Sequence, residues 1–255
     1  MQKTAVITGA ASGIGRRTVE RLLAEGWTVW GLDLSNDALA KFQSKETGGR
    51  YRHHACDVRD VNSIKAAVAA VRKETDTVGA LVCSAGVTVV SSLEENTIEE
   101  VDLMFDVNVR GPWLTIREFL PLLRKNASMA DPSRAVIVGS IGGIRPKVGT
   151  GFYSATKAAV HVLTGIYAVE LAESGVIVNA VAPGSTKTPM NDDAAVAAKA
   201  SSSRFKTSGV SPLGRIGQAD DVADVILFFL SDAAKYVNGT VLPVDGGTRA
   251  AFVKT

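Results

Sequence analysis

Cysteine is almost missing from this chain. Cys56 and Cys83 are the only two among 255 residues, too few for a disulfide-stapled scaffold. Both end runs that read as β-strands, so they are expected to be small buried hydrophobes in a reducing compartment. Histidine is also scarce, and the adjacent pair His53 and His54 would point to opposite faces of a strand, so no metal site is expected. Net charge is only +2 and the basic residues are scattered, which excludes a nucleic-acid or membrane-surface footprint. No apolar run approaches the roughly 20 residues that span a bilayer. The amino terminus enters an apolar run without a cationic segment or a cleavage site, so no signal peptide is expected. These absences leave a soluble, cytoplasmic protein with a small-molecule partner as the expectation.

What is present suits one α/β domain over residues 1–255. With 46% hydrophobic and 21% charged residues, the chain can bury a large core. Residues 4 to 8, TAVIT, form an apolar, β-branched run that stops at Gly9, as a buried parallel strand does. Gly9-Ala-Ala-Ser12-Gly13-Ile14-Gly15 follows, and then a helical pattern through Val19, Leu22 and Leu23. A strand, a glycine turn and a helix in that order let backbone approach a pyrophosphate, with the helix N-terminus offering free N–H groups. Glycines also serve tight turns without a ligand, so the turn alone is weak. The next strand, TVWGLD, ends in Asp33, 18 residues after Gly15. An acid there can accept a ribose 2′-hydroxyl and repel a 2′-phosphate, which points to NAD rather than NADP. Neither Ser12 nor Leu34 supplies a cation for that phosphate. A turn or helix cap is the bland alternative for Asp33, and Ser35 suits that job better.

Further strands read at YRHHACDV, ending in Asp57-Val58, and at ALVCS, ending before Ala85-Gly86. In the order 3-2-1-4, Cys56 and Cys83 have two strands between them, roughly 14 Å at ordinary spacing and too far to bridge. A long helical pattern from about 97 to 125 contains Asn108 between two valines. That residue is either a buried amide satisfied by backbone, or one that holds water or kinks the helix near a site. The strand AVIVGS carries Ser140 at its carboxyl end, where open parallel sheets place active sites. Thirteen residues later Tyr153 opens a helix expected to reach about Ser174. The spacing in Tyr153-Ser-Ala-Thr-Lys157 puts a phenol and an ammonium on one helical face. A nearby cation favours the tyrosinate, so Tyr153 could serve as a base below its usual pKa near 10. An ordinary Tyr and Lys on a half-exposed helix is the alternative. The strand VIVNAVA precedes Pro183-Gly184, and residues 185–212, rich in Ser, Ala, Lys and Asp, are expected to form a lid. A helix over 220–230 and a last strand complete the chain.

The ordered set Thr8-Gly9-x-x-x-Gly13-x-Gly15, Asp33, Asp57-Val58, Ala85-Gly86, Asn108, Ser140, Tyr153-x-x-x-Lys157, Asn179 and Pro183-Gly184-x-x-x-Thr188 resembles the short-chain dehydrogenase/reductase family along nearly the whole chain. The resemblance implies a Rossmann-type doubly wound parallel sheet of seven strands with helices on both faces. It implies an NAD(P) site and a homotetramer or dimer built from the two long helices. Asn108, Ser140, Tyr153 and Lys157 are the implied catalytic tetrad. Cofactor contacts are implied for Gly9, Ser12, Gly13, Ile14, Gly15, Asp33, Asp57, Val58, Ala85, Gly86, Tyr153, Lys157, Pro183, Gly184, Thr186 and Thr188. One departure is Cys83-Ser84-Ala85-Gly86, where the family commonly has Asn-Asn-Ala-Gly, so weaker local rigidity is expected there.

The implied reaction is an NAD-dependent interconversion of a secondary alcohol and a ketone. Tyr153 would exchange the proton, Ser140 hold the substrate oxygen, and Lys157 lower the phenol's pKa and bind the nicotinamide ribose. Asn108 would hold a relay water and Thr188 the carboxamide. One alternative is an NADPH-dependent carbonyl or 3-oxoacyl reductase, which Asp33 opposes. Another is a non-catalytic dinucleotide-sensing protein, which the intact tetrad opposes. Substrate walls are expected from residues 87–92, 141–152 and onward from Met190. Within them Arg145 and Lys147 are either contacts for an anion or solvated loop cations.

Overall fold

The computed structural model describes residues 2–42, 48–192 and 209–251. Its strands are β1 (Thr4–Thr8), β2 (Thr28–Asp33), β3 (Tyr51–Ala55), β4 (Ala80–Cys83), β5 (Ser133–Val138), β6 (Val176–Pro183), β7 (Thr186–Lys187), β8 (Gly217–Gln218) and β9 (Val241–Val244). Its α-helices are α1 (Gly13–Ala24), α2 (Asn36–Phe42), α3 (Val61–Arg72), α4 (Ile98–Phe105), α5 (Gly111–Arg124), α6 (Gly151–Glu170), α7 (Pro189–Asp192) and α8 (Ala219–Leu230). Seven strands form one sheet in the order β3-β2-β1-β4-β5-β6-β9, while β7 and β8 pair with each other. Every pairing is parallel.

Successive strand residues point to opposite faces, so each strand feeds two apolar layers. Val6 joins Ile64 and Val71 of α3 and Phe119 and Leu122 of α5 on one side. Its neighbours Ala5 and Ile7 join Val19 and Leu22 of α1 and Val222, Ile226 and Phe229 of α8 on the other. Both faces are covered, which is why TAVIT reads as a continuous apolar run rather than an alternating one. Phe119 is fully buried, and truncating such a ring to alanine costs about 3–5 kcal/mol.

The chain winds from β1 through β2 to the edge strand β3, then returns to lay β4 on the other side of β1. The crevice beyond the carboxyl ends of β1 and β4 lies at this reversal, where open α/β sheets bind their ligands. The sequence-based order 3-2-1-4 matches this arrangement, and Cys56 and Cys83 are free and buried. Among the described residues no helix is long and apolar enough to cross a membrane.

The long helix expected over 97–125 is broken. After α4 the residues Asp106–Arg110 form a π-helical turn before α5 begins at Gly111, and such turns are rare and concentrate at functional sites. Likewise α6 stops at Glu170, and a 3-10 turn over Ala172–Ser174 replaces its expected end, closed by Gly175 at φ 72°. β3 stops at Ala55 rather than continuing to Val58. Of the expected lid, residues 193–208 lie outside the described residues. Its beginning is partly strand, because Thr186 pairs with Gly217.

Candidate active site

At the end of β1 the Thr8 hydroxyl oxygen accepts from the N–H groups of Ser84 (3.2 Å) and Ala85 (3.3 Å). Thr8 therefore makes the link between the ends of β1 and β4, where Cys83 and Ser84 replace the expected amides. Gly9 has φ 67°, a conformation that side chains disfavour, and a Cβ on it would lie 2.8 Å from the Ala85 nitrogen. A Cβ on Gly15 would collide with the Gly9 carbonyl oxygen. Ile14, in the first turn of α1, is partly buried against the apolar layer that holds Ala5, Ile7 and Val19. Ser12 makes no side-chain cap bond, and the first turn of α1 holds no acidic residue. The leading N–H groups and the positive end of α1 therefore keep their attraction for an anion. This cradle fits the pyrophosphate of a dinucleotide.

Asp33 ends β2 beside it. Its Oδ2 accepts from Ala11 N–H (3.1 Å) and its Oδ1 from Ser35 N–H (3.4 Å), so the carboxylate braces the glycine turn. Each oxygen retains acceptor capacity for a ribose hydroxyl. Tyr51, missed at the sequence level, is buried with its hydroxyl against Gly31, and burial together with the Asp33 charge pushes its pKa up to about 12. Asp57 follows β3, but its carboxylate is engaged by the Arg59 guanidinium (2.7 Å) and Arg59 N–H (2.9 Å). Arg59 holds that carboxyl below the usual carboxylate range. Val58 is buried against Gly111.

Asn108 sits at the centre of the π-turn and is buried. Its Oδ1 accepts from Val87 N–H (2.9 Å), and its Nδ2 donates to Val87 O (2.9 Å) and Thr156 Oγ1 (3.1 Å). The amide is satisfied, as in the first sequence reading, and it also stands at the break in the helix, as in the second. Nothing in the sequence pattern marked Thr156 as its partner. Next to it, the buried Lys157 donates to Val138 O at 2.9 Å, and burial pushes its pKa down to about 8. Its Nζ lies 5.7 Å from the centre of the Tyr153 ring.

Ser140 Oγ accepts from Gly142 N–H at 3.0 Å, and Tyr153 adjoins it, since a Cβ on Gly142 would stand 3.3 Å from Ser140 Oγ and 3.7 Å from Tyr153 Cε1. Tyr153 keeps part of its surface exposed, yet the atoms crowded around it raise its pKa by burial, and the Ser140 hydroxyl offsets this only in part. The expectation that Lys157 lowers the phenol is thereby corrected for the protein alone. Lys157 is committed to the Val138 carbonyl.

Gly86 joins the two halves of the site. A Cβ on it would stand 3.3 Å from Asn108 Oδ1, 3.6 Å from Lys157 Nζ and 3.7 Å from Met190 Cε. At the end of β6 Pro183 is buried; beyond it Gly184 approaches Asp245, and the buried Thr186 donates its hydroxyl to Gly184 O at 3.0 Å. This turn carries Thr188 to the glycine turn, where its methyl carbon is 3.4 Å from where a Gly13 side chain would begin. Asn179 has a structural role. It bonds Val237 O (2.7 Å) and Thr240 N–H (3.0 Å) and staples β6 to the segment before β9. Arg145 Nη1 donates to Thr248 O at 2.6 Å, so it ties the loop after Ser140 to the carboxyl-terminal segment. Lys147 sits two residues on, at the exposed rim.

A family model described as enoyl-(acyl carrier protein) reductase matches residues 9–249. A 3-oxoacyl-(acyl-carrier-protein) reductase of Thermotoga maritima is 36% identical over 250 residues, covering 96% of this chain and 97% of that protein. A levodione reductase of Leifsonia aquatica is 33% identical over 258 residues, covering 98% and 95%. The crystal structure of a 3-ketoacyl-(acyl-carrier-protein) reductase from Brucella melitensis complexed with NADH matches with a TM-score of 0.86 at 30% identity, over 97% of this chain and 98% of that one. With its winding order, its glycine turn and its Ser140, Tyr153 and Lys157 cluster, this chain belongs to the short-chain dehydrogenase/reductase family of oxidoreductases.

Proposed function

We propose that this oxidoreductase interconverts a secondary alcohol and a ketone with NAD, as a single-domain cytoplasmic enzyme that assembles as a homotetramer. The observation that carries the reading is the gathering of Ser140, Tyr153, Lys157 and Asn108 at the carboxyl end of the sheet: a Cβ on Gly142 would touch both Ser140 Oγ and Tyr153, and one on Gly86 would touch both Asn108 and Lys157. NAD, when bound, supplies the hydride-accepting ring and its positive charge. In oxidation Tyr153 takes the proton of the substrate hydroxyl. Ser140, oriented by Gly142 N–H, holds the substrate oxygen and stabilises charge developing on it. In reduction the roles reverse, and a phenol whose pKa is raised carries the proton it must give. Lys157 meets the nicotinamide ribose and Thr188 the carboxamide, while Asn108 fixes Val87 and Thr156 around them and holds the relay water. Asp33 accepts the adenosine ribose hydroxyl.

Both named relatives are reductases of oxo compounds, which supports the substrate class. The Brucella structure holds NADH, and Asp33 supports the same choice here. Free, buried cysteines suit a reducing compartment. Ile98, Trp113, Val162, Ile166 and Val169 are exposed on α4, α5 and α6, which supports burial of these helices between copies; light scattering would report the mass.

Tyr153→Phe should bind NAD normally while turnover falls by about 10²–10⁴. Near-normal turnover would overturn the scheme. Comparing kcat/KM with NAD and NADP tests the cofactor. A clear NADP preference would favour the second reading, an NADPH-dependent 3-oxoacyl reductase, which the similarity to the Thermotoga enzyme supports.

A further inference from the structure

His161 lies one helical turn beyond Lys157 on α6, and none of the roles assigned above uses it. Its imidazole is wedged into the turn Gly139-Ser140-Ile141-Gly142-Gly143. The Ser140 N–H is directed at His161 Nε2, at 3.5 Å. A Cβ on Gly139 would collide with that same Nε2, and a Cβ on Gly143 would stand 2.8 Å from His161 Cε1. Neither glycine has a left-handed φ. Space for the ring, and for the α6 backbone at Lys157 and Ala158 beside Gly143, is what excludes a side chain at these positions.

We propose that His161 is a positioning residue for hydride transfer: its neutral imidazole accepts the Ser140 N–H and holds the Ser140 hydroxyl where it meets Tyr153 and the substrate oxygen. This rests on Ser140 acting as described under the proposed function. Ser140 is then held from two directions, its main chain by His161 and its Oγ by Gly142 N–H. Removing the acceptor leaves a part-buried N–H without a partner and frees the turn to shift. Small displacements of reacting groups are expensive in rate. With Nε2 accepting, the ring proton sits on Nδ1. Burial and the nearby Lys157 charge push the His161 pKa down to about 4, so the ring remains an acceptor at neutral pH.

The test uses the full-length enzyme with NAD and the fastest member of a panel of secondary alcohols. His161→Leu should lower kcat about tenfold, the effect of roughly one hydrogen bond, with KM and NAD affinity within about twofold. His161→Gln, whose amide oxygen reaches the same N–H, should recover most of the loss. In the double variant with Ser140→Ala, His161→Leu should add nothing, because both act through one group. Equal impairment of the Leu and Gln variants, or additive losses in the double variant, would overturn the proposal. Should His161→Leu fail to fold, His161→Asn, which is too short to reach, takes its place. Nitrogen NMR of the imidazole is independent of any substrate: a hydrogen on Nε2 refutes the inference. Near-normal activity of Ser140→Ala alone would instead sink the proposed mechanism.

Discussion

Two glycine-bearing turns stand at the carboxyl ends of parallel strands, Gly9–Gly15 after β1 and Gly139–Gly143 after β5, and they use glycine for different reasons. In the first, Gly9 and Gly13 adopt φ of 67° and 54°, and Gly15 makes room for the Gly9 carbonyl. The result is a backbone surface lined with N–H groups and turned outward. In the second, Gly139 and Gly143 have no left-handed φ, and the missing side chains make room for His161 and the backbone of α6. The first turn is shaped to receive a ligand. The second is filled by the protein itself, and its rigidity is what Ser140 inherits.

Gly15→Ala should have the largest effect, because its Cβ would press on backbone rather than on a flexible side chain. Calorimetry should show NAD affinity reduced at least about hundredfold, with a stability loss of roughly 1–3 kcal/mol from overpacking. Gly143→Ala sharpens the contrast. A Cβ there would sit 2.6 Å from the Ala158 nitrogen, so kcat should fall tenfold or more while NAD affinity stays within about threefold. If Gly143→Ala loses NAD binding as completely as Gly15→Ala, the two turns do not divide the work in this way.

Lys157, whose Nζ is bonded at the end of β5, tests the same division through pH. Its pKa falls from 10.5 to about 8 on folding, so between those values the unfolded chain binds more protons than the folded one. Its contribution to stability therefore rises with pH across this window and is most unfavourable below pH 8. Lys157→Met should make the cofactor-free protein more stable at pH 7, by up to about 3 kcal/mol, while turnover is lost. Denaturant unfolding at pH 7 and pH 10 should show the advantage shrinking. The smallest effect is expected for Arg145→Ala. It removes the bond to Thr248 O, costing about 1 kcal/mol with NAD affinity unchanged. A selective loss of carboxylated substrates would instead assign Arg145 to an anion.

Much of the architecture was legible because its signals are local. TAVIT, the glycine spacing and TVWGLD each lie within one strand, turn or helix start, and the Tyr153 to Lys157 spacing needs only the helical period. The π-turn around Asn108 was legible only as the alternative of a kink there, because valines on both sides of Asn108 leave no clear apolar stripe whose phase could show the break. Thr8, Thr156 and His161 were passed over as partners because their bonds reach across the chain: Thr8 is 76 residues from Ser84, and Thr156 is 48 from Asn108. The direction of the Tyr153 shift was misjudged for a related reason. Spacing reports a cation on the same helical face but not the burial that sets the direction of the shift.

By itself, the sequence determined the class of the fold, the cleft for a dinucleotide and the four side chains proposed for the chemistry, because each depends on short-range geometry and the alternation of apolar residues. Only the tertiary structure decided what holds those side chains in place: Thr8 across the strand ends, Val87 and Thr156 around Asn108, the Val138 carbonyl on Lys157 and His161 behind Ser140. These contacts form between segments that only packing brings together, and their strength comes from burial, which no single segment possesses.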